Sequence, residues 1–157
     1  FKETVNEIYE LAKKYDCKIF LPVDVVVSKD FIKNADHKIV NINECPSDHM
    51  ILDIGEKSIE LYKRIISSSK TILWNGPLGA FETKPFDKGT NALAKHTSLI
   101  TVNKKCVSVA GGGDTVSALN SINVTADFSY VSSAGGAFLE WLEGKELPGI
   151  KAINLSK

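Results

Sequence analysis

The sequence holds 157 residues, 43% of them hydrophobic, which suffices for one folded domain with a real core. Nineteen Lys and Arg residues balance nineteen Asp and Glu residues, so no long-range field draws nucleic acid or an anionic membrane to the chain. No apolar run approaches the roughly 20 residues that cross a bilayer, and Cys17, Cys45 and Cys106 lack disulfide or zinc spacing, which fits reduced thiols in a cytoplasmic protein.

The sequence opens at Phe1, and Val5, Ile8, Leu11, Ala12 and Tyr15 recur at helical spacing from there, so a helix is expected at once and the chain reads as a fragment. Lys18 to Leu21 then reads as a short buried strand closed by Pro22. Val25-Val26-Val27 and Lys38-Ile39-Val40 are β-rich runs expected to pair at the margin of a sheet. Met50 to Ile54 is an apolar strand, and Leu61, Tyr62, Ile65 and Ile66 mark the face of the helix after it. Thr71 to Trp74 and Cys106 to Ala110 are further strands, followed by helices over Asp87 to Leu99 and Thr115 to Asn120; Phe128 to Val131 and Gly136 to Leu142 form the last unit. Alternation of this kind predicts an α/β fold, a Rossmann-like three-layer sandwich with a mostly parallel sheet and helices on both faces.

In such sheets ligands bind beyond the carboxyl ends of the strands, where strand-to-helix loops lie. Three loops there are rich in glycine: Trp74-Asn75-Gly76-Pro77-Leu78-Gly79, Gly111-Gly112-Gly113-Asp114-Thr115 and Ser132-Ser133-Ala134-Gly135-Gly136. Glycine lets backbone N–H groups approach an anion, and the positive end of the following helix, roughly half a charge, favours phosphate. A carboxylate such as Asp114 repels a bare phosphate, but a shared Mg²⁺ reverses the sign, so Asp114 points to a magnesium nucleotide. Each feature also has a structural reading: a tight turn for each loop, an N-cap for Asp114, Ser132 and Ser133, and a solvated acid for Glu82.

Taken together, Leu21-Pro22-Val23-Asp24-Val25-Val26, Leu52-Asp53-Ile54-Gly55, the stretch from Trp74 to Glu82, Gly111 to Thr115 and Leu142 to Gly149 closely resemble the carboxyl-terminal domain of phosphoglycerate kinases. The resemblance covers nearly all of residues 1–157 and implies one nucleotide-binding domain, incomplete at its amino-terminal side. It implies, for the intact enzyme, reversible phosphoryl transfer between 1,3-bisphosphoglycerate and ADP to give 3-phosphoglycerate and ATP in glycolysis, carried out by a cytoplasmic monomer that binds neither nucleic acid nor membrane. By resemblance, Glu82 holds the ribose hydroxyls, Asn75 lies near the nucleotide phosphates, and Pro77, Gly79 and Ala80 border the nucleotide. Gly112, Gly113 and Thr115 cradle the phosphates of ADP or ATP, Gly111 belongs to the same nucleotide-binding loop, Asp114 carries Mg²⁺, and the helix entered at Gly135 and Gly136 faces the transferring group.

Two positions depart from the family pattern. Ala134 stands where the family has glycine, so its Cβ is expected to hinder a close backbone approach or to conflict with a positive φ. Glu56 replaces a proline after Asp-Ile-Gly, which should alter only the entry to a helix. The family's amino-terminal domain, which binds the phosphoglycerate, and the lysine-bearing start of the carboxyl-terminal domain have no match here. The chain alone is therefore expected to be inactive. A Rossmann dehydrogenase is the rival enzyme, but GxGxxG with an acid about 20 residues on is absent. A non-catalytic adenine-nucleotide-binding module is the rival of another class.

Overall fold

The computed structural model describes residues 1–132 and 134–155. Helix α1 (Lys2–Lys14) is followed by β1 (Asp24–Ser28), β2 (His37–Asn41), β3 (Met50–Ile54) and α2 (Glu56–Ser68). The second half runs β4 (Thr71–Asn75), α3 (Lys88–Val102), β5 (Val107–Gly111), α4 (Gly113–Ser121), β6 (Tyr130–Ser132), α5 (Gly135–Leu142) and α6 (Pro148–Leu155).

The fold is α/β, and β4, β5 and β6 form a wholly parallel sheet in that order. Each parallel step is made through a helix, α3 between β4 and β5 and α4 between β5 and β6, as parallel neighbours require. The expected pairing of the Val25 and Lys38 runs is present, Val26 facing Ile39, but it belongs to a separate antiparallel sheet ordered β2-β1-β3. Strand β3 joins β1 there instead of extending the parallel sheet. All five residues of β1 are buried, so a partner on each edge satisfies its amides and carbonyls.

Residues 18–21 form no strand, contrary to the sequence expectation: Phe20 is 45% and Leu21 60% exposed. An apolar run becomes a strand only where a sheet edge receives it, and no described strand pairs with this one. Helix α1 likewise has the expected span but buries none of its residues.

The main core packs Trp74, Leu93, Ala110, Leu119 and Phe128 between the parallel sheet and its helices, with Trp74 and Phe128 edge to face at 6.2 Å. A second cluster gathers Val26, Ala35 and Phe86 under the antiparallel sheet. Asp24 joins β1 to α2. Its Oδ1 accepts hydrogen bonds from the Ser58 amide at 2.7 Å and the Ser58 hydroxyl at 2.6 Å, and its Oδ2 accepts from the Lys57 amide at 3.1 Å. This carboxylate serves as the cap that Gly55, the residue at the N-cap position, has no side chain to supply. Among the described residues no helix is long and apolar enough to cross a membrane.

Candidate functional site

The three glycine-rich loops meet at one point. Strand β4 ends at Asn75, and Gly76 turns the chain with φ +91°, a conformation that costs glycine little. The Gly76 amide donates to Thr115 Oγ1 at 2.8 Å, which ties the first loop to the start of α4. Thr115 is 1% exposed, so its hydroxyl oxygen serves as an internal tie between loops. The Trp74 indole N–H donates to the Gly76 carbonyl at 2.8 Å, and the Leu78 amide donates to Thr90 Oγ1 at 3.0 Å, holding the same loop against α3.

The second and third loops touch through bare backbone. The Gly112 amide donates to the Ser132 carbonyl at 3.1 Å. A Cβ placed on Gly135 would lie 2.5 Å from the Gly112 nitrogen and 2.7 Å from its Cα, so only glycine at 135 permits this approach. Gly112 has φ +100° and is the residue that precedes α4. The amino ends of α4 and α5 are thereby brought together.

Neither end carries a side-chain cap. The N-cap of α4 is Gly112, so Asp114 lies within the first turn and not at the capping position, and its side chain is exposed. The N-cap of α5 is Ala134, and again no side chain caps the helix. Ser132 Oγ instead accepts from the Ala134 amide at 3.1 Å. Ala134 has φ −93°, ordinary for an L-residue, so the anticipated conflict with positive φ does not arise. Its N–H is engaged by Ser132, however. Ser133 lies outside the described residues, and Gly136 is exposed with open space where a Cβ would stand.

Two uncapped helix starts side by side concentrate unpaired amide donors and two positive dipole ends, which together favour a polyanion. Exposed Asp114 beside them is unfavourable for a bare phosphate and favourable for one that shares a cation. No group of three or more His, Cys, Asp or Glu side chains able to hold a metal exists among the described residues. The donor set therefore fits a cation such as Mg²⁺ only where phosphate oxygens and water fill its remaining positions, with Asp114 as the protein's carboxylate.

The remaining candidates sit along the loop from residue 76 to 87. Asn75 is exposed, and its Oδ1 is 3.6 Å from where a Gly112 Cβ would stand, so it borders the junction. Pro77, Gly79 and Ala80 are half-buried, the Ala80 amide donating to the Leu52 carbonyl at 2.9 Å. Glu82 is exposed and lines a separate polar hollow of about 460 Å³ with Phe31, Ile32, Lys33, Thr83 and Lys84. The structure thus brings Asn75, Gly111, Gly112, Thr115, Gly135 and Gly136 together and leaves Glu82 outside that group.

Sequence reading gave no role to Asp24 or Asp53. The available signal was a lone acid inside an apolar run, Val23-Asp24-Val25 and Leu52-Asp53-Ile54, where charge survives only with partners. Burial pushes the Asp53 carboxyl up to about 6, against the amides of Gly89, Ile54 and Lys88 that favour its ionised form.

The family model for phosphoglycerate kinase matches residues 1–145. The phosphoglycerate kinase of Zymomonas mobilis is 54% identical over 152 residues, 97% of this chain and 38% of the relative. That of Agrobacterium fabrum is 54% identical over 155 residues, 99% of this chain and 39% of the relative. The solved phosphoglycerate kinase of Coxiella burnetii superposes with a TM-score of 0.86 at 40% identity, over 95% of this chain and 38% of that structure. The one from Pyrococcus horikoshii does so at 0.79 and 26% identity, over 98% of this chain and 37% of that structure. Spanning a little over a third of these relatives, and matched by the family model along most of its length, the chain belongs to the phosphoglycerate kinase family.

Proposed function

We propose that this chain is the adenine-nucleotide-binding part of a phosphoglycerate kinase. The observation that carries the reading is the contact between the uncapped amino ends of α4 and α5 at Gly112 and Gly135, with Asp114 exposed beside it. In this reading the amides of Gly113 and Thr115 hold the phosphates of ADP or ATP, Gly112 shapes the turn beneath them with its own amide given to Ser132, and Asp114 orients Mg²⁺. When bound, Mg²⁺ offsets phosphate charge as it redistributes during transfer. The residues of this chain position and neutralise: Asn75 borders the phosphates, Pro77, Gly79 and Ala80 border the nucleoside, and Glu82 accepts hydrogen bonds from the ribose hydroxyls. In this reading the ribose sits at the hollow that Glu82 lines and the phosphates at the helix starts. Calorimetric titration with Mg-ADP tests this assignment, with Asp114→Ala and Glu82→Ala as the variants that should weaken binding.

The intact enzyme of this family would transfer a phosphoryl group between 1,3-bisphosphoglycerate and ADP in cytoplasmic glycolysis, acting as a monomer. The chain spans 38% of its relative from Zymomonas mobilis, and in this reading its residues bind nucleotide without completing a phosphoglycerate site. Mixed with 1,3-bisphosphoglycerate, ADP and Mg²⁺, the purified chain is expected to form no ATP above the uncatalysed rate. The loss of each transition-state contact costs on the order of 10² to 10³ in rate, and several are lost together. Turnover at a rate typical of kinases, about 1 to 100 s⁻¹, would contradict this.

A further inference from the structure

Asp53 follows the apolar run Met50-Ile51-Leu52, yet it is only 1% exposed and lies where β3, α3 and the loop from residue 76 to 87 meet. Its Oδ1 accepts from the Ile54 amide at 2.8 Å, and its Oδ2 accepts from the Gly89 amide in the first turn of α3, also at 2.8 Å. Two glycines make room for it. A Cβ on Gly79 would stand 2.5 Å from Oδ1, and a Cβ on Gly89 would collide with the same oxygen. Beside it, the Ala80 amide is fixed to the Leu52 carbonyl, and Phe86, fully buried, ends the loop against the second core cluster.

We infer that Asp53 is a positioning residue that fixes the loop from residue 76 to 87, and with it Gly79, Ala80 and Glu82, relative to the paired starts of α4 and α5. The consequence for ligand binding rests on the nucleotide reading above; the positioning itself does not. The geometry suits an ionised carboxylate, since its hydrogen-bond partners are amide donors. Asp87, just before α3, is the charged neighbour that opposes ionisation, and Lys88 acts through its backbone amide. His37 meets the edge of the Phe86 ring, with centroids 6.1 Å apart.

Protonation of Asp53 relieves the desolvation of its charge but places an O–H where an amide needs an acceptor. Its folded pKa of about 6 lies above the ordinary carboxylate value of 3.8, so this group favours the fold increasingly as pH falls through 6. An opening of the loop that lets water reach Asp53 is disfavoured over the same range.

Amide hydrogen exchange on the parent chain and on Asp53→Asn decides the matter. In the parent, protection at Ala80, Phe86 and Gly89, corrected for intrinsic exchange, should rise as pH drops through 6, while protection at Leu119 in α4 changes less. In Asp53→Asn at neutral pH the same three amides should exchange about tenfold faster, as expected for one lost hydrogen bond to a charged group. Mg-ADP affinity should fall by a similar factor. Loop protection that is independent of pH in the parent overturns the inference, and this arm holds even where the variant fails to fold. Unchanged loop exchange in a folded variant also overturns it. A parent chain that shows the exchange transition but binds no Mg-ADP overturns the nucleotide reading and leaves the positioning role standing.

Discussion

Gly135→Ala should lower the thermal midpoint of the chain by roughly 10 °C, while Gly136→Ala leaves it nearly unchanged. The neighbouring glycines differ only in surroundings. A Cβ at 135 would meet the Gly112 nitrogen at 2.5 Å, the Gly112 Cα at 2.7 Å and the Gly111 carbonyl carbon at 2.9 Å, all backbone atoms. A flexible side chain could swing aside, but these atoms move only if the second loop moves. That shift would break the Gly112 amide bond to Ser132 and separate the ends of α4 and α5. Overpacking of a close contact costs typically 1–3 kcal/mol, and a clash with backbone on several sides falls at about 3. For a domain of this size each kcal/mol moves the midpoint by about 2–4 °C. At Gly136 the Cβ meets open space, and alanine improves helix propensity by up to about 1 kcal/mol. Differential scanning calorimetry of the two variants checks the pair, and equal midpoints would show that the Gly112 to Gly135 contact does not constrain the fold.

Asp24→Ala is expected to destabilise the chain by about 3 kcal/mol, because it strips three donors of one acceptor group. The amides of Lys57 and Ser58 lose their cap, and Ser58, which has no solvent exposure, loses a hydroxyl partner. Loss of an N-cap costs about 1 kcal/mol, and a buried polar group left without a partner adds about 1–3. The Ser58 hydroxyl retains the Asp24 carbonyl as an acceptor at 2.8 Å, which keeps the loss from being larger. Burial alone would raise the Asp24 carboxyl, but the Ser58 hydroxyl, the Ser58 and Lys57 amides and the Lys57 charge outweigh it and hold it below the usual value. A depressed folded pKa stabilises the chain above the unfolded value of 3.8, and that stability is lost as pH falls through the folded pKa. Urea unfolding at pH 7 and pH 3 therefore should show a parent that weakens in acid, with the gap to Asp24→Ala narrowing. A constant gap would mean that the cap does not depend on charge.

The fold class was readable because strand and helix periods alternate cleanly from Thr71 to Leu142, and a parallel sheet follows from alternation. The Val25 and Lys38 runs pair as expected, but periodicity says which residues lie inside and not which sheet receives them. Placing Met50 to Ile54 beside β1 is a tertiary choice. Lys18 to Leu21 carries a strand's composition without a strand's neighbour, and exposure of Leu21 is the result. At the candidate site, glycine spacing located all three loops. It did not reveal that Thr115 would spend its hydroxyl on Gly76, or that Gly135 is demanded by space and not by φ, because both facts depend on chain segments distant in sequence. Asp24 and Asp53 escaped for the same reason: their partners are backbone amides and, for Asp24, the hydroxyl of distant Ser58, which local sequence pattern does not connect to them.

In the proposed function the three loops form one site for a magnesium nucleotide. Titrating the chain with ADP in the presence and absence of Mg²⁺ by calorimetry, alongside Asp114→Ala and Glu82→Ala, tests it most directly. One saturable site is predicted, with Mg²⁺ tightening ADP binding in the parent. Asp114→Ala should lose that enhancement while still binding free ADP, and Glu82→Ala should bind about tenfold more weakly with and without Mg²⁺, as expected for lost hydrogen bonds to a charged group. Absence of ADP binding by the parent, or variants that match the parent in both conditions, would contradict the assignment.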